Sequence, residues 1–248
     1  MLGKIKSNLY SAALLLGKIK YNNRNSKVLY YHDVHKDKDV PETMMSTPLS
    51  LFTEHIRIIR QQGFEIVDVI TQPKNQIMLT FDDGYIGIFK NKDFFFNQGL
   101  KPTVFIISNC IGTNTFMNAN EIIFLQNKGF RFQSHTHTHP DLNLLSESEM
   151  KTEMITSKKI LENFVNEPIN EICFPKGLFN KLVLVTANEY GYDKLYSSIP
   201  GSFNEQNPFD IINRNLVQFS SIFDFNCILY GGLNIFRERY TKQHYHEE

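Results

Sequence analysis

The stretch Gln76-Ile77-Met78-Leu79-Thr80-Phe81-Asp82-Asp83-Gly84 decides how this chain folds. Its first six residues are nearly all apolar, as in a strand buried on both faces. The run breaks at two adjacent carboxylates and a glycine. Asp and Gly also favour plain turns, so the doublet alone says little about chemistry. Later in the chain a second strand-like run, residues 130–134, leads into His135-Thr136-His137-Thr138-His139-Pro140. His135 and His139 have the spacing of one helical face, while Pro140 and the threonines favour a loop; either can chelate. Together the two segments supply a general base and three ligands for a hard-to-borderline cation. Hydrolysis of an unactivated amide or ester requires that equipment.

Outward from this stretch, strand-like and helix-like segments alternate without a linker. Residues 28–31 read as a strand. Thr47-Pro48 opens a helix, with Thr47 as N-cap and Pro48 in the first helical position. Its apolar face is Leu51, Phe52, Ile56 and Ile59, and Gly63 stops it. Residues 64–68, 102–108, 130–134 and 172–174 read as further strands. Residues 86–97, 121–128 and 181–190 read as helices ended by glycines. Ser146 and Glu149 form a capping box that opens a helix to about residue 164. Beyond 191 the pattern is hard to phase. Repeated β-then-α units predict an α/β fold with a parallel sheet, open or closed into a barrel. Asp82, Asp83, His135 and Pro175 all follow apolar runs, where sites sit in either architecture. No glycine-rich phosphate loop follows a strand, which argues against a nucleotide fold.

Composition narrows the classes further. With 248 residues and 42% hydrophobic residues, one large core is affordable and a single domain suffices. Zero formal net charge argues against nucleic acid as a partner. Cys110, Cys173 and Cys227 are widely spaced with no C-x-x-C, so they read as three buried thiols in a reducing compartment.

The amino terminus has its own pattern. Leu2, Ile5, Leu9, Ala12, Ala13, Leu16 and Ile19 recur at helical spacing. Lys4, Lys6, Lys18, Lys20, Arg24 and Lys27 precede the first acidic residue, Asp33. The longest apolar run, residues 12–16, is too short for a signal peptide core or a spanning helix. Two readings stand: residues 1–20 make peripheral contact with an anionic membrane, or the helix packs on the domain with its lysines solvated. The expected organisation is a basic amphipathic helix at 1–26, a catalytic domain at 27–240 and a polar tail at 241–248. The expected location is cytoplasmic, at the inner face of the membrane.

T-F-D-D-G at 80–84 followed by S-H-T-H-T-H-P-D-L at 134–142 resembles the polysaccharide deacetylase family, the NodB-homology carbohydrate esterases. The resemblance spans residues 28–216. It implies a distorted (β/α) barrel of a single domain and metal-dependent removal of acetyl groups, N-linked or O-linked, from sugars in surface-glycan metabolism. By motif position, Asp82 is the implied base, and Asp83, His135 and His139 are the implied ligands of a divalent ion, with Zn2+ expected. Pro175-Lys176-Gly177 resembles the family's P-Y-G segment, which assigns the Lys176 backbone N–H to the developing oxyanion.

Two departures from the family pattern matter. The late L-x-H histidine is absent between residues 178 and 243. Instead, Leu29-Tyr30-Tyr31-His32-Asp33-Val34 resembles the early Y-H-x-I/V motif of the poly-N-acetylglucosamine deacetylase branch, which implies His32 as the acid. Cys173 stands where the family's R-x-P-Y-G arginine belongs, and Arg214 in Asn213-Arg214-Asn215-Leu216-Val217 resembles a segment that replaces it. Among the remaining groups, His137 is expected to point away from the cation, Asp141 to cap the turn, His35 and His55 to lie on the surface, and His244 and His246 to trail in the tail. The substrate expected is an acetylated carbohydrate, whether polymeric, lipid-linked or nucleotide-linked. Two alternatives remain: a catalytically weak carbohydrate-binding relative, and a hydrolase of a non-sugar amide on the same barrel.

Overall fold

The computed structural model describes residues 2–247, with side chains from residue 7 onward. Ten strands, nine α-helices and four short 3-10 helices are found among the described residues. The strands are β1 (Lys27–Tyr31), β2 (Asp33–His35), β3 (Ser46–Pro48), β4 (Glu65–Val67), β5 (Gln76–Phe81), β6 (Thr103–Ile106), β7 (Arg131–Ser134), β8 (Glu171–Cys173), β9 (Lys194–Tyr196) and β10 (Arg214–Leu216). The helices are α1 (Leu2–Tyr21), α2 (Leu49–Gln61), α3 (Gly87–Lys90), α4 (Lys92–Asn97), α5 (Ala119–Gln126), α6 (Glu147–Glu162), α7 (Lys181–Glu189), α8 (Ile222–Leu229) and α9 (Arg237–His244).

The sheet runs β10-β1-β5-β6-β7-β8-β9, and every pairing is parallel. A bridge from Tyr196 to Ile212, just before β10, brings its two ends together. The ring is a distorted (β/α) barrel, as expected. Part of the distortion lies at β5. Its lower half pairs with β4 and its upper half, Thr80 and Phe81, with β6.

Strand alternation separates two cores. Val28, Met78, Phe105, Cys173 and Tyr196 pack together as one cluster. Leu29, Ile77, Leu79, Phe81, Val104, Phe132 and Ile172 belong to the larger cluster shared with the helices.

Several local expectations need correction. Thr47 does not cap a helix: it lies in β3, and its Oγ1 donates to the Gln218 carbonyl. Pro48 is the residue before α2 and offers no side-chain cap. The helix expected over 86–97 is two short helices. The buried Asn91 amide donates to the carbonyls of Gly87 and Val34, competing with the helix backbone at the break. His55 is buried on α2, where it stacks on Phe225 with centroids 3.9 Å apart. His35 is half-buried, with Nδ1 2.9 Å from Ser46 Oγ. Cys110 is half-buried, while Cys173 and Cys227 are buried; all three are free. The capping box at Ser146 and Glu149 forms as expected, and a second one, Asn118 with Glu121, opens α5.

Helix α1 packs on the body through Leu14 and Gly17. A Cβ on Gly17 would meet the Gly232 carbonyl oxygen at 2.2 Å, so only glycine permits the approach. The apolar stripe read from the sequence faces outward: Leu9, Leu16 and Ile19 are 66%, 61% and 68% exposed. Met1, and the side chains of Leu2, Lys4, Ile5 and Lys6, lie outside the described residues, as does Glu248. Among the described residues no helix is long and apolar enough to cross a membrane.

Candidate metal centre and catalytic cleft

Segments at the C-terminal ends of β1, β5, β7, β8 and β10 meet around one cleft of about 350 Å³. Asp82 continues β5, its N–H bonded to the Tyr31 carbonyl. Asp83 then adopts a left-handed conformation, φ 72°, so consecutive carboxylates diverge. Thr136, His139 and Lys176 share that conformation, at φ 67°, 61° and 55°. Strained backbone of this kind clusters at functional sites.

Asp83 Oδ1 lies 3.4 Å from His135 Nε2 and 3.7 Å from His139 Nε2. It is buried without a hydrogen-bond partner. Those separations approach the edge of a tetrahedron with bonds of about 2.1 Å, roughly 3.4 Å, so the trio fits one cation. His135 Nδ1–H donates to the Cys173 carbonyl, which leaves Nε2 as a lone pair aimed at Asp83. Burial drives the His135 imidazole down to about 4, so the ring is neutral at pH 7, the form that ligates. The intervening loop is tied down by Glu153 of α6, whose carboxylate accepts from the N–H groups of His137 and Thr138. His137 turns away and its Nδ1 meets Ser108 Oγ, as expected.

Asp82 has a different neighbour. Arg214 Nη1 and Nη2 reach its two oxygens at 2.6 and 2.8 Å. Arg214 is 1% exposed, and Tyr30 packs on its guanidinium at 4.2 Å. Burial opposes the charge on Asp82, but Arg214 more than offsets it and holds the carboxyl at about 2. Cys173 Sγ lies 3.9 Å from Asp82 Oδ2. Asp82, His135 and Cys173 thus form a second donor set. It is the poorer cation site, because Arg214 occupies Asp82 and burial pushes the Cys173 thiol well above its usual range, keeping its proton.

The half-buried His32 lines the same cleft, with Nδ1 2.7 Å from Gln218 Oε1. Lys176 lines it too. The Lys176 ammonium turns outward to the Asp141 carboxylate, so Asp141 pairs with a lysine and does not cap the turn. Of the residues singled out from the sequence for this site, His32, Asp82, Asp83, His135, His139 and Lys176 therefore line one cleft, and Arg214 is buried behind it against Asp82.

Sequence reasoning missed Gln218, Glu153, Tyr240 and His244. His244 does not trail. It ends α9, and its Nδ1–H donates to the Tyr240 carbonyl. Its ring stacks against Tyr240 at 5.5 Å, and both line the cleft. Bonds between Phe179 N–H and the His244 carbonyl, and between His246 N–H and the Phe179 carbonyl, fasten this segment. The helical spacing of Tyr240 and His244 was the available signal.

A family model for polysaccharide deacetylases matches residues 70–195, just over half of the chain. YxkH of Bacillus subtilis, which carries a polysaccharide deacetylase name, is 24% identical over 75% of this chain and 69% of its own length. A peptidoglycan-N-acetylglucosamine deacetylase of Bacillus cereus is 30% identical over 40% of this chain, matching 38% of that protein. Among solved structures, the Streptococcus pyogenes deacetylase PplD superposes with a TM-score of 0.73 at 22% identity, covering 84% of this chain and 99% of that one. IcaB from Ammonifex degensii gives 0.73 at 16%, covering 86% and 98%. These two show a shared fold. Family match and barrel together place the chain in the polysaccharide deacetylase family, as a hydrolase of acetylated carbohydrates.

Proposed function

We propose that this protein is a metal-dependent deacetylase of acetamido sugars, with Asp82 as base, His32 as acid, and Asp83, His135 and His139 as ligands. One observation carries the reading. Asp83 Oδ1 and the two imidazole nitrogens converge beside Asp82 and His32 in a single cleft.

Two imidazoles and one carboxylate suit Zn2+ with an open position. When bound, the ion would acidify a water and polarise the acetyl carbonyl. That contribution is needed, because a carboxyl held at about 2 is by itself a weak base. Asp82 takes the proton of the attacking water through a lone pair not used by Arg214. The Lys176 N–H donates to the carbonyl oxygen as charge develops there. His32 gives its proton to nitrogen as the C–N bond breaks, releasing acetate and a free amine. Such a cleft supports catalysis better than a carbohydrate-binding role alone.

The substrate we favour is a lipid-linked or nucleotide-linked acetamido sugar handled at the inner face of a membrane. The outward Leu9, Leu16 and Ile19 stripe, with the exposed Lys20 in the last turn of α1, supports peripheral contact there. Acetate release by the zinc-loaded protein should be screened across polymeric, lipid-linked and nucleotide-linked acetamido sugars. Asp82→Asn should retain metal and lose turnover; full turnover in that variant would end the assignment. Co-sedimentation with anionic vesicles should be lost in Leu9→Ser/Leu16→Ser/Ile19→Ser. Equal sedimentation of parent and variant would remove the membrane.

A further inference from the structure

We infer that Gln218 is a positioning residue for His32, and that β10 with the two residues after it sets both ends of the proton path. The inference rests on the reading of His32 as the acid. A carbonyl oxygen only accepts, so the 2.7 Å contact from Gln218 Oε1 places a hydrogen on His32 Nδ1. Nε2 is then the nitrogen left for the substrate. Gln218 is itself held. It is 1% exposed, its Nε2 donates to Met45 Sδ, and its main-chain carbonyl accepts from the buried Thr47 hydroxyl.

The direction of the amide has chemical meaning. Were its NH2 group to face the ring, Nδ1 would have to keep a lone pair. An imidazolium, which is a donor at both nitrogens, could not form there. With the oxygen facing the ring, neutral and cationic imidazole both fit. An acid must carry its proton before giving it away, so this is the orientation turnover needs. A carboxylate at 218 would also accept from Nδ1, but it would hold the cation more tightly and make a poorer donor at neutral pH.

Arg214, Leu216 and Gln218 occupy alternate positions along and just beyond β10. Arg214 reaches Asp82, Leu216 lines the cleft, and Gln218 reaches His32. The titratable groups that share the cleft with His32 are Tyr30, Asp82, Asp83, His135, His139, Lys176, Tyr240 and His244, with the Arg214 guanidinium behind Asp82. Each stays constant across the variants below, so a difference between them reports on position 218.

The experiment compares full-length, zinc-loaded parent, His32→Ala, Gln218→Met and Gln218→Glu. It measures kcat and KM for acetate release against pH on an acetylated glucosamine oligomer, with metal content checked in each. The imidazole titration of His32 is followed by nitrogen NMR, which needs no substrate. Gln218→Met should lower kcat roughly 100-fold with KM nearly unchanged. Gln218→Glu should move the basic limb of kcat, and the His32 titration, upward by about one pH unit. A His32→Ala enzyme with parental kcat would overturn both the acid assignment and this inference. If His32→Ala is impaired while Gln218→Met keeps parental kcat, or Gln218→Glu leaves the His32 titration in place, Gln218 only packs and this inference alone falls.

Discussion

Arg214 and Asp82 form a two-pronged ion pair, 2.6 and 2.8 Å, inside the barrel, with the guanidinium 1% exposed. Pairs buried this deeply are costly to break from one side. Arg214→Met should lower unfolding free energy by about 3–5 kcal/mol, because it strands a buried carboxylate. Adding Asp82→Asn should restore most of the loss. Urea denaturation of the two variants measures this, and a single variant as stable as the parent would refute it.

The two aspartates should separate cleanly in function. Asp83→Asn and His139→Ala should each reduce bound zinc after dialysis against a weak chelator. Asp82→Asn should keep its metal and lose acetate release by at least about 100-fold. Metal analysis beside activity distinguishes them; metal loss in Asp82→Asn would reverse the assigned roles.

Lys176 is assigned a backbone role in a left-handed conformation, φ 55°. Glycine adopts that conformation at no steric cost. Lys176→Gly should therefore hold kcat close to the parent value and raise the melting temperature or leave it unchanged. A large loss of kcat would assign the work to the ammonium group.

His55 gives a stability prediction linked to pH. Its Nε2–H donates to the Ser220 carbonyl and its Nδ1 accepts from the Tyr31 hydroxyl. Burial drives the ring down to about 4 from its ordinary 6.5. A folded pKa below the unfolded one means that protons bind the unfolded chain preferentially. The His55 contribution is therefore whole above about 6.5 and declines as pH falls towards 4, by about 3 kcal/mol in all. His55→Gln should flatten that part of the stability profile. An unchanged slope in chemical denaturation between pH 7 and pH 4 would contradict it.

Much of this molecule was legible in the sequence because its chemistry sits at strand ends. The nearly all-apolar Gln76–Phe81 run announces a strand buried on both faces, and whatever follows it must emerge at a barrel rim. The same logic delivered His135 and His139. What stayed hidden depends on partners distant in sequence. Gln218 reads as an ordinary polar residue until β10 is laid beside β1. His55 was misplaced because its polarity outweighed its position, one turn from Phe52 and Ile59 on the buried face of α2. His244 was lost with a segment read as tail, because no apolar face in residues 237–244 announces a helix. The Phe179 backbone, which fastens it, is far upstream.

The placement of Arg214 and Gln218 on one stretch of chain has a mechanical consequence. Arg214 holds Asp82 and Gln218 holds His32, so a displacement of that stretch would disturb the partners of base and acid together. The neighbouring seam is closed by the Tyr196–Ile212 bridge and by Arg214 itself, which donates to the carbonyls of Ile199 and Ser197, so loosening it would reach the proton path as well as access to the cleft.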